Sequence, residues 1–145
     1  MTTRTSFLFG ILLLIGTVCA LAEEARFMRS PDIYKDKIVF TYENDLWIVS
    51  SAGGTATRLT NSPGAEGSPK FSPDGKWIAF TGSYDGSQNV YVIPIEGGEP
   101  RRVTFQPGGG QVVGWTPKTG RIIFRSYFEN VIGRDPNLYF VSPLS

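Results

Sequence analysis

Histidine is missing from this chain, and cysteine occurs once, at Cys19, in 145 residues. Without an imidazole, a Ser-His-Asp triad, a Cys-His pair and a His-ligated metal are all excluded from the chain itself. An excess of either charge is missing too: 14 Lys+Arg stand against 13 Asp+Glu, a net +1. Nucleic-acid binders carry a basic patch and a high pI, so that partner class is excluded as well. What the chain does have is glycine (17), proline (10) and aromatics (13%). Turn formers combined with aromatic strand formers point to a β-rich globular fold rather than disorder.

The first 22 residues read as a secretory leader. Arg4 and the amino terminus give a positive start, Phe7 to Ile15 form a nine-residue apolar run, and Ala20-Leu21-Ala22 supplies small residues at a cleavage site. The alternative is a membrane anchor, but Phe7 to Ala22 is 16 residues, short of the roughly 20 that a helix needs to cross a bilayer. Cleavage after Ala22 leaves residues 23–145, which hold neither Cys nor His and carry 13 positive and 13 negative side chains. No disulfide, thiol nucleophile or membrane span is then expected in this part.

The remainder is a repeat. Ile38-Val39-Phe40-Thr41, Ile78-Ala79-Phe80-Thr81 and Ile122-Ile123-Phe124-Arg125 align, with Phe40, Phe80 and Phe124 spaced by 40 and 44 residues. Leu46-Trp47-Ile48-Val49, Val90-Tyr91-Val92-Ile93 and Leu138-Tyr139-Phe140-Val141 form a second set, spaced by 44 and 48. Gly53-Gly54 followed by Arg58-Leu59-Thr60 recurs 44 residues later as Gly97-Gly98 followed by Arg102-Val103-Thr104. Ser30-Pro31-Asp32-Ile33, Ser68-Pro69-Lys70-Phe71 and Val112-Val113-Gly114-Trp115 precede each unit. Four short strands every 40 to 48 residues is the period of a β-propeller blade.

The fold class expected is therefore all-β: a propeller of four-stranded antiparallel blades, with about three blades present. They span about 27–60, 65–104 and 108–145, and the last lacks its outer strand. Ser72-Pro73-Asp74-Gly75 and Thr116-Pro117-Lys118-Thr119-Gly120 supply turn chemistry, and Asp85-Gly86 marks a hairpin. The apolar second and third strands suit sheets covered on both faces. The polar Glu99 to Thr104 stretch suits an outer edge. Propellers close with roughly four to eight blades, so the chain reads as the N-terminal part of a longer protein.

No catalytic, cofactor-binding or metal-binding residue is assigned, and no cofactor is expected. Trp47, Trp77, Trp115, Tyr91 and Tyr139 recur at blade spacing; inter-blade core is the preferred reading over a ligand-stacking surface. Asp74, Asp85 and Asp135 sit in no dense oxygen-ligand run, and turn chemistry explains Asp74 and Asp85 better than calcium. Arg101 and Arg102 alternate sides of a strand and read as a solvated edge rather than an anion site. Gly108-Gly109-Gly110 lacks the Lys and Ser/Thr of a phosphate loop and reads as an inter-blade linker. The loop between second and third strands lengthens from 42–44 to 82–88 to 126–136. The longest holds Tyr127, Phe128, Glu129, Arg134 and Asp135, and is a candidate partner contact beside the plainer reading of loop drift.

SPKFSPDGKWIAFTG (68–82) and NVYVIPIEGGEPRRVT (89–104) resemble the propeller repeats of TolB, the tricorn protease and related peptidases. The opening SPDIYKDKIVFTYENDLWIVSSAGGTATRLT (30–60) is similar to the start of tricorn-type proteases, at Pro31-Asp32-Ile33, Ile38-Val39-Phe40 and Asp45-Leu46-Trp47, and GWTPKTGRIIFRS (114–126) continues the likeness. The resemblance implies a large serine peptidase that forms homo-oligomers. Its N-terminal propellers gate or channel peptide substrates toward a C-terminal core with a PDZ domain, which is absent from this chain. With the leader it also implies export, to the bacterial periplasm, or a cytoplasmic location if the leader is not used. Two alternatives stay open: a TolB-like periplasmic interaction scaffold, and the propeller of a prolyl-oligopeptidase-type hydrolase. A scaffold of the first kind places a separate α/β domain ahead of its propeller, whereas here the first blade begins within a few residues of the predicted cleavage site.

Overall fold

The computed structural model describes residues 27–129 and 135–143. The predicted leader lies outside the described residues. Those described contain strands and no helix, in three antiparallel sheets. The first sheet holds β1 (Arg29–Tyr34), β2 (Lys37–Tyr42), β3 (Asp45–Ser50) and β4 (Thr57–Arg58) in that order. The second holds β5 (Ala65–Phe71), β6 (Trp77–Ser83), β7 (Asn89–Pro94) and β8 (Arg101–Arg102). The third has β9 (Gln111–Trp115), β10 (Ile122–Ser126) and β11 (Asn137–Val141), with β10 in the middle. This is an incomplete β-propeller.

Period-2 alternation divides each blade into two apolar faces. In the second blade Ile78, Phe80, Tyr91 and Ile93 join Val39, Leu46 and Phe71 in one core cluster, between the first and second sheets. Ala79, Val90 and Val92 join Val112, Ile122 and Phe124 in the other, between the second and third. The forward face of each blade repeats one aromatic pair. Phe80 stacks on its register partner Tyr91 with centroids 5.8 Å apart, and Phe124 on Tyr139 at 5.6 Å. Phe40 and Trp47 are the register equivalents in the first blade. Sheets so covered keep their backbone bonds dry and give each fully buried large side chain about 1.5–3 kcal/mol of transfer free energy.

Turns follow from the residues that form them. Glu43 and Asn44 both adopt positive φ (50° and 69°) between β2 and β3, the backbone of a two-residue hairpin. At the turn after β5, Ser72 Oγ donates to Asp74 Oδ1 (2.6 Å), which also accepts the Lys76 amide (3.1 Å). Gly75 completes this turn at φ 70°, with the Tyr34 ring where a Cβ would stand.

The outer strands depart from expectation. The polar edge anticipated over 99–104 shrinks to the two residues of β8, because Val103 and Thr104 turn inward and are buried. The inner strands β1 and β5 carry bulges the repeat pattern does not announce. Ser30 and Ser68 each take φ 51° just before a proline, and the register shifts there in both strands. A bulge re-aims the chain, and at these two places it bends the first strand of the sheet.

Candidate functional site

The loops joining second to third strands lie at one end of the sheets, beside the inner-strand starts. Two concavities open there. One, of about 500 Å³, lies between the Gly108–Gly110 linker, Gln88, Gln111 and Ser126. The other, of about 240 Å³, is bounded by Ser30, Thr41, Asn44, Ser68 and Thr81. The linker glycines are there for shape: a Cβ on Gly108 would stand 2.7 Å from the Phe128 amide nitrogen, and Gly109 takes φ 70° against the Gln88 carbonyl. Ser126 Oγ donates to the Gly109 carbonyl (2.5 Å) and accepts the Phe128 amide (3.1 Å). Across the rim, Arg125 Nε donates to Gln111 Oε1 (2.7 Å), and the Gln111 amide donates to Gln88 Oε1 (2.5 Å). The lining mixes amide, hydroxyl and main-chain groups with Arg125, Tyr127 and Pro136 in the first concavity and with Arg29 and Glu66 in the second.

The junction of the first two blades holds a buried carboxyl that sequence reasoning missed. Glu66 is 5% exposed. Its Oε2 accepts the Leu46 amide (3.2 Å) and the Thr60 hydroxyl, and its Oε1 accepts the Tyr84 hydroxyl (2.5 Å). Burial pushes the Glu66 carboxyl above its ordinary 4.5, against the opposing pull of the Thr60 and Tyr84 hydroxyls. Burial also raises the Tyr84 phenol, with the Glu66 hydrogen bond adding to it. A hydroxyl beside a carboxylate invites a nucleophile-and-base reading. Here Thr60 is 4% exposed and its oxygen already accepts the Leu46 amide at 2.8 Å, so the group is structural. At the next junction Gly110 occupies the corresponding place, and its amide donates to the Gln88 carbonyl as that of Glu66 does to Asn44. A lone carboxylate leaves no period-2 or repeat signal, which is why the sequence conceals it.

The other singled-out residues separate. Tyr91 is buried in the first core cluster, and Trp77, Trp115 and Tyr139 pack half-buried against the second. The Trp115 indole donates to the Lys70 carbonyl (2.9 Å). Trp47 is the exception: it packs edge-on against Tyr42 at 5.9 Å, on the first blade's outward face, outside both clusters. Hydrogen bonds from Ser72 and Lys76 hold the Asp74 carboxyl below its usual value, as a turn residue requires. Asp85 does more than turn the chain, since it ion-pairs with Arg102 at 2.7 Å. Arg102 is therefore pinned rather than solvated: it also donates to the Thr104 carbonyl and lies 5.0 Å from the Phe105 ring centre. Arg101 points elsewhere and donates to the Pro143 carbonyl. Tyr127, Glu129 and Asp135 are exposed and Phe128 is half-buried, its carbonyl accepting the Tyr139 hydroxyl at 2.5 Å. Arg134 lies outside the described residues. Among the described residues no group of three acidic, Cys or His side chains could hold a metal ion.

Residues 25–145 match the family described as the tricorn protease N-terminal beta propeller domain. The chain belongs to this family. Among curated relatives, tricorn protease homolog 1 of Streptomyces coelicolor is 35% identical over 103 residues, covering 70% of this chain and 10% of the relative. The tricorn protease of Thermoplasma acidophilum is 31% identical over 113 residues, 76% of this chain and 9% of that protein. The crystal structure of the tricorn protease superposes with a TM-score of 0.59 at 28% identity, over 69% of this chain and 11% of that one. TolB from Acinetobacter baumannii superposes with a TM-score of 0.61 at 27% identity, over 78% and 29%. The chain thus spans about a tenth of the length of these tricorn relatives.

Proposed function

We propose that this segment is the start of an exported, tricorn-like serine peptidase, and that its propeller gates peptides on their way to a catalytic core elsewhere in the protein. The observation that carries the reading is the family match over 25–145. The polar rim formed by Gln88, Gln111, Arg125 and the linker carbonyls supports the gating part, because amide and carbonyl groups bond peptide main chain regardless of side chain. Residues 1–22 serve as the export leader in this reading, and the complete protein forms homo-oligomers.

The test uses the complete protein. Replacing the downstream catalytic serine should abolish peptide hydrolysis; persistent hydrolysis would refute the peptidase assignment. Gln88→Trp, which puts a bulky ring at the rim, should lower kcat/KM for peptides of about ten residues and spare a dipeptide substrate. An equal effect on both would remove the gating role. The TolB-like scaffold is the second reading, favoured by the similar superposition on TolB. It requires that no peptidase activity accompany the complete protein.

A further inference from the structure

The turns that join first to second strands lie at the opposite end of the sheets from the two concavities, and all five lysines of the chain gather there. Lys35 and Lys37 belong to the turn from β1 to β2, Lys76 to that from β5 to β6, and Lys118 to that from β9 to β10. Lys70, near the end of β5, is paired with Asp32 at 3.4 Å. Arg121 adds a cation to the third turn. Lys35, Lys37, Lys76, Lys118 and Arg121 are exposed. The exposed carboxylates on the same three turns are Asp36 and Asp74, and Glu96 and Glu99 stand further out, between β7 and β8. The loops at the other end hold no lysine and carry Glu43, Asp85, Glu129 and Asp135.

A groove of about 340 Å³ opens between the three lysine-bearing turns. Its walls include the rings of Tyr34 from the first blade, Phe71 and Pro73 from the second, and Trp115 and Pro117 from the third. Bonds between blades set these walls. Asp32 Oδ2 accepts the Phe71 amide (2.8 Å), and the Trp115 indole donates to the Lys70 carbonyl (2.9 Å). Lys35 Nζ lies 5.2 Å from the centre of the Tyr34 ring, so one of the cations stands against a wall of the groove. Aromatic and proline walls take an apolar ring, and a surplus of ammonium groups takes carboxylates. A flat anionic bilayer would meet the lysines and leave the groove empty.

We propose that this end of the sheets is a docking surface for a protein partner that presents an extended acidic segment with one aromatic side chain. The aromatic ring enters the groove, and the flanking carboxylates meet Lys35, Lys76 and Lys118. The surface lies at the far end from the concavities assigned to peptide gating, and it needs no peptidase activity.

The test uses the complete protein with a serine-peptidase inhibitor present, so that no probe is cleaved. Fluorescence anisotropy at low salt reads the binding of a short labelled peptide with one phenylalanine between runs of aspartate. A second peptide carries alanine in place of the phenylalanine. The phenylalanine peptide should bind, and the alanine peptide should bind about tenfold or more weakly. Lys76→Glu combined with Lys118→Glu should weaken the phenylalanine peptide by about tenfold or more, and added salt should act in the same direction. Arg101→Glu, which reverses a cation on the outer edge of the second blade, should leave it unchanged. Pro117→Ser should weaken the phenylalanine peptide and spare the alanine one, a split that loss of fold cannot produce. Equal binding of the two peptides would overturn the groove as the seat of an aromatic ring. A loss from Arg101→Glu as large as that from the lysine pair would overturn the lysine-bearing turns as the surface. Binding to phosphatidylserine and phosphatidylcholine vesicles that the phenylalanine peptide cannot displace would overturn the protein partner in favour of a membrane. Binding of neither peptide at about millimolar concentration would overturn the proposal altogether.

Discussion

Thr104→Val tests the hydroxyl that closes the outer edge of the second blade onto Val90. The substitution keeps shape and volume and deletes one hydroxyl. Thr104 is 3% exposed and Val90 fully buried, so the Val90 amide, bonded to Thr104 Oγ1 at 2.9 Å, loses its acceptor with no water to replace it. An orphaned buried donor costs about 1–3 kcal/mol. The Asn89 side chain, to which Thr104 Oγ1 also donates at 3.4 Å, loses only a long and weak partner. The added methyl recovers at most ~0.8 kcal/mol. The net loss is therefore about 1–2 kcal/mol, a sizeable share of the 5–15 kcal/mol typical of a folded domain. Urea unfolding at pH 7 measures it, with Val90 amide exchange as the local readout and Thr104→Ser, which keeps the hydroxyl, as the control. A Thr104→Val protein as stable as the parent within about 0.3 kcal/mol, with unchanged Val90 exchange, would refute the reasoning.

Two further outcomes follow from the same geometry. Glu66 has a folded-state pKa above its unfolded value because it is buried. The native state then holds more protons than the unfolded one between those two values, so stability falls as pH rises through that window and stays lower above it. Glu66→Gln keeps the shape and removes the buried charge, so it should lose this downward step in stability when unfolding is measured from pH 4 to 8; an unaltered step would exclude Glu66 as its source. Gly75→Ala should cost about 2 kcal/mol or more, since φ 70° disfavours a side chain and the new Cβ meets the Tyr34 ring. Thermal unfolding measures this, and a Tm equal to the parent's would show that the turn relaxes freely.

Period and composition alone determined the architecture: four strand segments every 40 to 48 residues, with Phe40, Phe80 and Phe124 in step. Such patterns are legible because burial on both faces demands apolar residues at regular places along the chain. The absence of histidine was also decisive without a structure, since no packing can create an imidazole. Other features were decided by what lies across a junction. Trp47 has the spacing of Tyr91 and Tyr139, yet it lies outside both core clusters, because its forward face meets no sheet among the described residues. Glu66 carries no signal in the sequence, and its role comes from Leu46, Thr60 and Tyr84 converging on it from two blades. Arg102 and Thr104 looked like a polar edge, and only the register of β7 with β8 sets the Thr104 hydroxyl on the Val90 amide and Arg102 on the Thr104 carbonyl. Local sequence records which residues want burial, whereas a partner 20 positions away and in another sheet, as Glu66 is for the Leu46 amide, is chosen only when sheets come face to face.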